Sequence, residues 1–300
     1  MLTRFAIYFD EVARRGSIRR ASEHLNVAPS AIDRQILKME ERLAVPLFDR
    51  RPQGLRLTAA GELLITMLRR WRRELRTAEA QIDEMRGLRR GEVTLALAEG
   101  SGELVTRSLL QFREVYPGIV FHLQIAASQT VVDLVLRGEV DIGVTFNPPE
   151  RPELRVERAL VYQIGAVVPP GHPLAEHVEV TLDQCSAFPL VGPDEAHSLR
   201  AVVDRAWAAN IGGSPRFSAS ANSVELIKAL VMGGMGVGLL TPVDIVAEAE
   251  QGLLICVPLT GSRIPLSVLS IISAAGRQSS PPAALLMRHL ASAAITERPA

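Results

Sequence analysis

Ser30, Asp33, Arg34, Gln35 and Lys38 are the residues whose types and spacing point most directly to a chemistry. At helical periodicity they lie off an apolar stripe of Ala31, Ile32, Ile36, Met39 and Leu43. One helix thus carries an inner face for a core and an outer face of guanidinium, amide, hydroxyl and ammonium groups. Such groups donate to base edges and phosphates, the chemistry of a helix that enters a DNA groove. Downstream, Arg50, Arg51 and Arg56 surround Pro52 and Gly54, the composition of a short two-stranded cationic wing beside that helix.

Short local signals predict the elements that hold this face. Ser17 stands where a hydroxyl accepts the first free helical N–H groups, and Ala21 and Leu25 fall four apart on one face. Asn26 tolerates the positive φ of a turn, and Pro29 suits a first helical position. Leu2, Phe5, Ala6, Phe9, Val12 and Ala13 recur at helical spacing, a supporting first helix.

The chain resembles the LysR-type transcriptional regulators over its first sixty residues, through Phe9, Ala13, Gly16-Ser17, Ala21-Ser22, Leu25, Val27, Arg34-Gln35-Ile36, Glu40, Leu43, Pro46-Leu47-Phe48, Arg50, Leu57-Thr58 and Gly61. It departs from them where a serine-glutamine pair usually opens the second helix, since Ala28-Pro29 stand there. Ser30 is then the alternative cap, with Asp33 in the return position and a slightly later helix start. Asp33 replaces a common serine, and its carboxylate either caps the helix or accepts from a cytosine amino group. Gln53 replaces the wing arginine before the glycine. The DNA-contacting set is Ser17, Pro29, Ser30, Asp33, Arg34, Gln35, Lys38, Arg50 and Arg51.

Thr58 can cap a long helix on which Leu64, Leu68, Trp71, Leu75, Ala78, Ile82 and Met85 follow steps of four and three, a heptad seam. At 1.5 Å per residue it runs about 40 Å, and its stripe needs a cover. The cover is either the chain's own second domain or, as the resemblance implies, the same helix of a second copy, with Leu64, Leu68, Trp71, Leu75 and Ile82 as dimerisation residues. Gly87, Arg89, Arg90 and Gly91 then interrupt the pattern as a hinge.

From residue 92 strands alternate with helices, which implies parallel crossovers. The expected architecture is α+β and multidomain: a winged helix-turn-helix over 1–60, a coiled-coil linker helix over 61–90, and an effector-binding domain over 91–300. The resemblance gives that last domain two α/β lobes of periplasmic-binding-protein type, lobe I about 91–161 and 265–300, lobe II about 162–264. Ligands in open α/β sheets sit beyond the carboxyl ends of strands, near helix N-termini. That rule selects Ser101 and Gly102, then Ser128, Gln129 and Thr130, and finally Asn222 and Ser223, with Thr145 and Asn147 at the same mouth. The resemblance makes these starts converge on one cleft, suited to a small polar or anionic effector, a carboxylate first.

No catalytic set is apparent. Gly233-Gly234-Met235-Gly236-Val237-Gly238 misses the dinucleotide spacing, and Gly100-Ser101-Gly102 is no nucleophile elbow. The six histidines have no metal-ligand spacing; His172 lies in a turn. Cys185 and Cys256 suggest neither disulfide nor zinc site. Residues 1–90 hold 19 Lys and Arg against 12 Asp and Glu, and the remainder 14 against 21, a basic DNA module joined to an acidic partner. No signal peptide or charge-free membrane span stands out, so a cytoplasmic protein is expected.

The expected function is a transcriptional regulator, not an enzyme. It needs no cofactor or metal; its partners are promoter DNA, further copies of itself (a dimer, or the tetramer common in that family), a small-molecule inducer and RNA polymerase. The rivals are a solute-binding protein and an α/β enzyme with an accessory DNA-binding domain.

Overall fold

A computed structural model describes residues 4–51, 54–85, 90–195 and 197–296. The chain forms two compact units, Met1–Met85 and Arg86–Ala300. Leu2, Pro52, Gln53, Gly87 and Arg89, which figured in the sequence reading, lie outside the described residues.

The first unit comprises α1 (Arg4–Arg15), α2 (Ile18–Leu25), α3 (Pro29–Leu43), the antiparallel strands β1 (Phe48–Arg51) and β2 (Gly54–Leu57), and α4 (Ala59–Met85). Local chemistry sets the boundaries. Ser17 Oγ accepts from Arg20 N at 3.4 Å to start α2, and Asn26 ends it at φ 57°. Thr58 Oγ1 accepts from Gly61 N at 3.1 Å and donates to Pro46 O at 2.7 Å, fixing the start of α4. A Cβ at Gly61 would stand 2.2 Å from Leu47 O, so only glycine lets α4 lie this close to the chain entering the wing.

Phe9, Ala21, Ile32, Ile36, Leu47 and Ile65 fill the core, with Phe5 and Phe48 rings 5.3 and 5.1 Å from Phe9. Burying a side chain of this size contributes roughly 1.5–3 kcal/mol. Leu64 and Leu68 pack against the same core, which corrects the seam: these two positions are taken by the chain's own winged helix. The outward row of α4 is Leu63, Met67, Trp71, Ile82 and Met85, all exposed, with Leu75 half-buried. Period alone does not say which side of α4 faces the core of the winged helix.

A buried carboxylate ties α1 to α4. Asp10 receives Arg69 Nε at 2.8 Å, Arg72 Nη1 at 3.4 Å and, from its own helix, Arg14 Nη2 at 3.2 Å.

The second unit holds two sheets. In the first, the order is β4 (Gly118–Ala126), β3 (Arg90–Ala98), β5 (Ile142–Phe146), β13 (Leu266–Ala274), β6 (Leu154–Gln163); β3, β4 and β5 run parallel and β13 antiparallel to β5 and β6. Helix α6 (Ser128–Arg137) covers one face, and α5 (Gly102–Val115) with α11 (Pro281–Thr296) the other.

The second sheet has the order β10 (Phe217–Ala221), β9 (Leu190–Pro193), β11 (Val237–Leu240), β7 (Gly165–Val168), β12 (Ile255–Thr260), β8 (Val180–Thr181). It packs with α8 (Ser198–Asn210) and α9 (Val224–Met232), while α7 (Leu182–Ser186) and α10 (Val246–Glu250) are short connectors. The chain crosses between sheets twice, from β6 to β7 and from β12 to β13, and the Gln163 side chain donates to Leu259 O at that crossing. As read from sequence, His172 serves a turn: its Nδ1 accepts from Leu174 N and its ring packs on Phe188.

Replacing Asp10 by alanine removes the buried carboxylate that Arg69, 17% exposed, meets at 2.8 Å. We expect a loss of about 2 kcal/mol, below the ~3–5 kcal/mol of a fully buried pair because Arg14 and Arg72 stay half exposed. Thermal denaturation of the full chain checks this; an unchanged midpoint would remove Asp10 from the account of α1–α4 packing.

Candidate nucleic-acid interface and ligand cavity

On the first unit, α3 presents Pro29, Ser30, Arg34 and Lys38 exposed and Asp33 and Gln35 half-buried, while Ile32 and Ile36 face the core. Ser30 does not cap this helix. Ala28 is the N-cap residue and offers no side-chain bond, and α3 begins at Pro29, whose ring lacks an N–H and whose fixed φ suits that position. Asp33 instead faces the wing, its Oδ1 3.5 Å from Arg50 Nη2. The capping role expected for Asp33 therefore gives way to an exposed ion pair between the helix and β1.

Glu40 fixes the wing more firmly: its Oε1 accepts from Leu47 N at 2.7 Å and Phe48 N at 3.3 Å. Ser17, half-buried, spends its hydroxyl on the α2 cap. Arg50 and Arg51 are exposed.

In the second unit, a cavity of about 560 Å³ lies between the sheets. From the first lobe it is lined by Ser128 and Gln129 at the start of α6 and by Phe146 and Asn147 at the end of β5. From the second it is lined by His197, Ser198, Arg200 and Arg205 around the start of α8, with Glu195 and Asp204. Two helix N-termini thus face one space. No side chain caps α6, whereas His197 Nδ1 accepts from Leu199 N at 3.2 Å to cap α8. Arg200 is tied to Asp204 at 2.8 Å and lies over the Phe217 ring. Arg205 is exposed and has no carboxylate partner among the described residues.

Several expected ligand residues are elsewhere. Ser101 is fully buried, and its hydroxyl donates to Ala98 O at 2.7 Å, so neither it nor Gly102 lines the cavity. Thr145 is buried and donates to Ser128 O at 3.1 Å, which supports the loop instead of touching a ligand. Thr130 is exposed outside the lining.

Asn222 and Ser223 open α9, but that helix start is already taken: Val224 N donates to Glu99 Oε1 of the first lobe at 3.0 Å. Two helix starts meet at the cavity, not the three expected. The missed start, His197-Ser198, obeys the rule used for the others, since it follows β9 as Ser128 follows β4.

Beyond Glu99, Arg107 joins both oxygens of Glu250 at 2.7 and 2.5 Å, and Val243 of the second lobe is buried in the first lobe's core. Hydrogen bonding from Arg107 holds the Glu250 carboxyl below its usual range. Burial pushes both cysteine thiols up to about 12, so neither is a ready nucleophile.

A winged helix-turn-helix and a two-lobed α/β unit with a cavity between its sheets, on one chain, define a DNA-binding regulator that carries its own ligand-binding domain. The family profiles agree: "LysR substrate binding domain" matches residues 86–294, and "Bacterial regulatory helix-turn-helix protein, lysR family" matches 4–62. The chain belongs to the LysR family of transcriptional regulators, not to an enzyme family.

Among its relatives are the RuBisCO operon transcriptional regulator of Allochromatium vinosum, 25% identical over 84% of this chain and 83% of the relative. The HTH-type transcriptional activator CmpR of Synechocystis is likewise 25% identical, with the same coverage of each chain. The crystal structure of CbnR, a LysR family regulator, matches the fold with a TM-score of 0.68 at 21% identity, over 98% of this chain and 99% of that one.

Proposed function

We propose that this regulator works in three parts: residues 1–60 read promoter DNA, 61–90 join two copies, and 91–300 bind the effector, with lobes over about 91–161 plus 265–300 and about 162–264. The observation that carries the first part is the exposed α3 face, with Arg34 and Lys38 free of the core and a cationic wing beside it. Arg34 reaches a guanine edge in this reading, while Arg50 and Arg51 hold phosphates.

Two copies meet along the outward row of α4, where Leu63, Met67, Trp71 and Ile82 form an apolar stripe. The effector is small, polar and anionic, and its charged group sits between the starts of α6 and α8 with Arg205 as the available cation. Partial positive charge at each helix start favours an anion by about 0.3–1 kcal/mol. Work takes place in the cytoplasm, and RNA polymerase is the partner that reads the outcome. None of the described helices is long and apolar enough to cross a membrane.

Genome-wide mapping of bound DNA, run in parallel with Arg34→Ala, tests the reading. Wild-type peaks should share one motif, and the variant should lose about 1–3 kcal/mol on that motif and relax one base position; peaks without a shared motif would reject it.

Sedimentation of a Met67→Glu, Trp71→Glu double variant should report dissociation, because charges placed on a covered apolar stripe cost several kcal/mol. An unchanged assembly would move the interface off this row.

In a reporter strain fed single carbon sources, an organic acid should switch the target promoter, and Arg205→Ala should raise the concentration needed roughly tenfold while operator affinity stays constant. A normal response in the variant would empty the cavity of its assigned role.

A further inference from the structure

On the first unit, the turn between α1 and α2 meets the wing backbone to backbone. Leu55 N donates to Gly16 O at 2.8 Å, and a Cβ at Gly54, where φ is +123°, would stand 2.6 Å from the same oxygen. A notch of about 360 Å³ remains at this junction, and four guanidinium groups line it: Arg15 from the end of α1, Arg20 from α2, and Arg51 and Arg56 from the two wing strands. Asp49, Arg51 and Arg56 share one face of the hairpin, because Asp49 pairs with Arg56 and Arg51 lies two residues on.

Two carboxylates offset part of this charge, Glu11 beside Arg15 and Asp49 at 3.8 Å from Arg51. Arg20 and Arg56 have no carboxylate partner among the described residues. Like charges gathered at one junction repel unless an anion joins them, and planar guanidinium forks suit a phosphate better than a point charge. An adjoining depression of about 330 Å³ shares Arg51 and contains Arg50, which reaches Asp33 of α3 at 3.5 Å. The cationic track thus runs from the notch to the reading helix.

We propose that this notch is a clamp for a single DNA backbone phosphate, closed by Arg20 and Arg56 from opposite sides and held at fixed width by the Gly16–Gly54 backbone contact. The proposal rests on the DNA-binding reading above and adds to it a sequence-independent site, three of whose arginines lie outside the set read from sequence. The clamp contributes to every duplex alike and leaves base choice to α3. Because both arginines hold one phosphate, their contributions to counterion release overlap. Two separate phosphate contacts would add.

The test uses the full-length chain and fluorescence anisotropy on two duplexes, one carrying the selected operator and one of scrambled sequence, between about 50 and 200 mM salt. Arg20→Ala and Arg56→Ala should each weaken both duplexes by the same factor, about threefold to tenfold at the low-salt end, and flatten the salt slope by up to about 1. Their double variant should still remove no more than about 1 from the slope.

Gly54→Ala, which removes no charge, should reproduce that loss by widening the notch. A single methylphosphonate at one operator position should cancel the effect of Arg20→Ala. The clamp is overturned if the two slopes add to about 2, if the operator and the scrambled duplex respond unequally, or if the arginine variants bind like wild type. Wild-type protein that binds neither duplex would reject the DNA-binding reading itself, a result distinct from all three.

Discussion

The Asp10 carboxylate is the constraint on which the geometry of the first unit depends. It is 6% exposed, and arginines from two helices converge on it. Such a cluster adds little net stability over an apolar one of the same shape, because desolvating the charges offsets most of their attraction, even though removing one member alone is costly. Its effect is on orientation. Apolar packing of Phe9 and Ile65 in one core would tolerate a small rotation of α1 on α4, whereas a charge-assisted Arg69–Asp10 hydrogen bond at 2.8 Å would not. Since α3 packs on α1, the direction of the reading face relative to α4 follows from that bond. A second copy joined through α4 would then place its own α3 at a set distance.

The second unit applies polar locks asymmetrically. Glu99 caps α9, Arg107 clasps Glu250, and Val243 is seated in the opposite core, so the lobes are fastened on the β3–α5 side. On the β4–β5 side the same two lobes leave the cavity between α6 and α8. Glu99 does at α9 what an anionic ligand would do at α6: it supplies oxygen to unpaired backbone N–H groups. The Arg107–Glu250 pair is exposed, so its worth to closure is modest and falls with added salt.

The parts legible in the sequence were those decided within a few residues. Ser17, Asn26 and Thr58 announce caps and turns because a hydroxyl or amide acts on backbone three or fewer positions away. Strand-helix alternation showed the α/β character of the second unit, while its division into two lobes came from the resemblance to the family. Tertiary competition decided the rest. Heptad spacing could not tell that Leu64 and Leu68 turn inward while Leu63 and Met67 face out. Ser101 has the right type and place for a ligand, yet Ala98 O takes its hydroxyl. Asp33 reads as a cap until Arg50, seventeen residues on, is seen beside it.

The position of β13 has a bearing on how this protein is made. It lies between β5 and β6, inside the first sheet, yet it follows the whole second lobe in the chain. Closing β6 on β13 spans a loop of roughly a hundred residues, a slow step with a large entropic cost. As the polypeptide leaves the ribosome, β3, β4 and β5 emerge with an unfilled flank, Phe146 and Val144 awaiting Leu269 and Ile271. Until those residues arrive, the nascent sheet offers a bare edge to any passing strand, and a chaperone or rapid completion of synthesis must cover it.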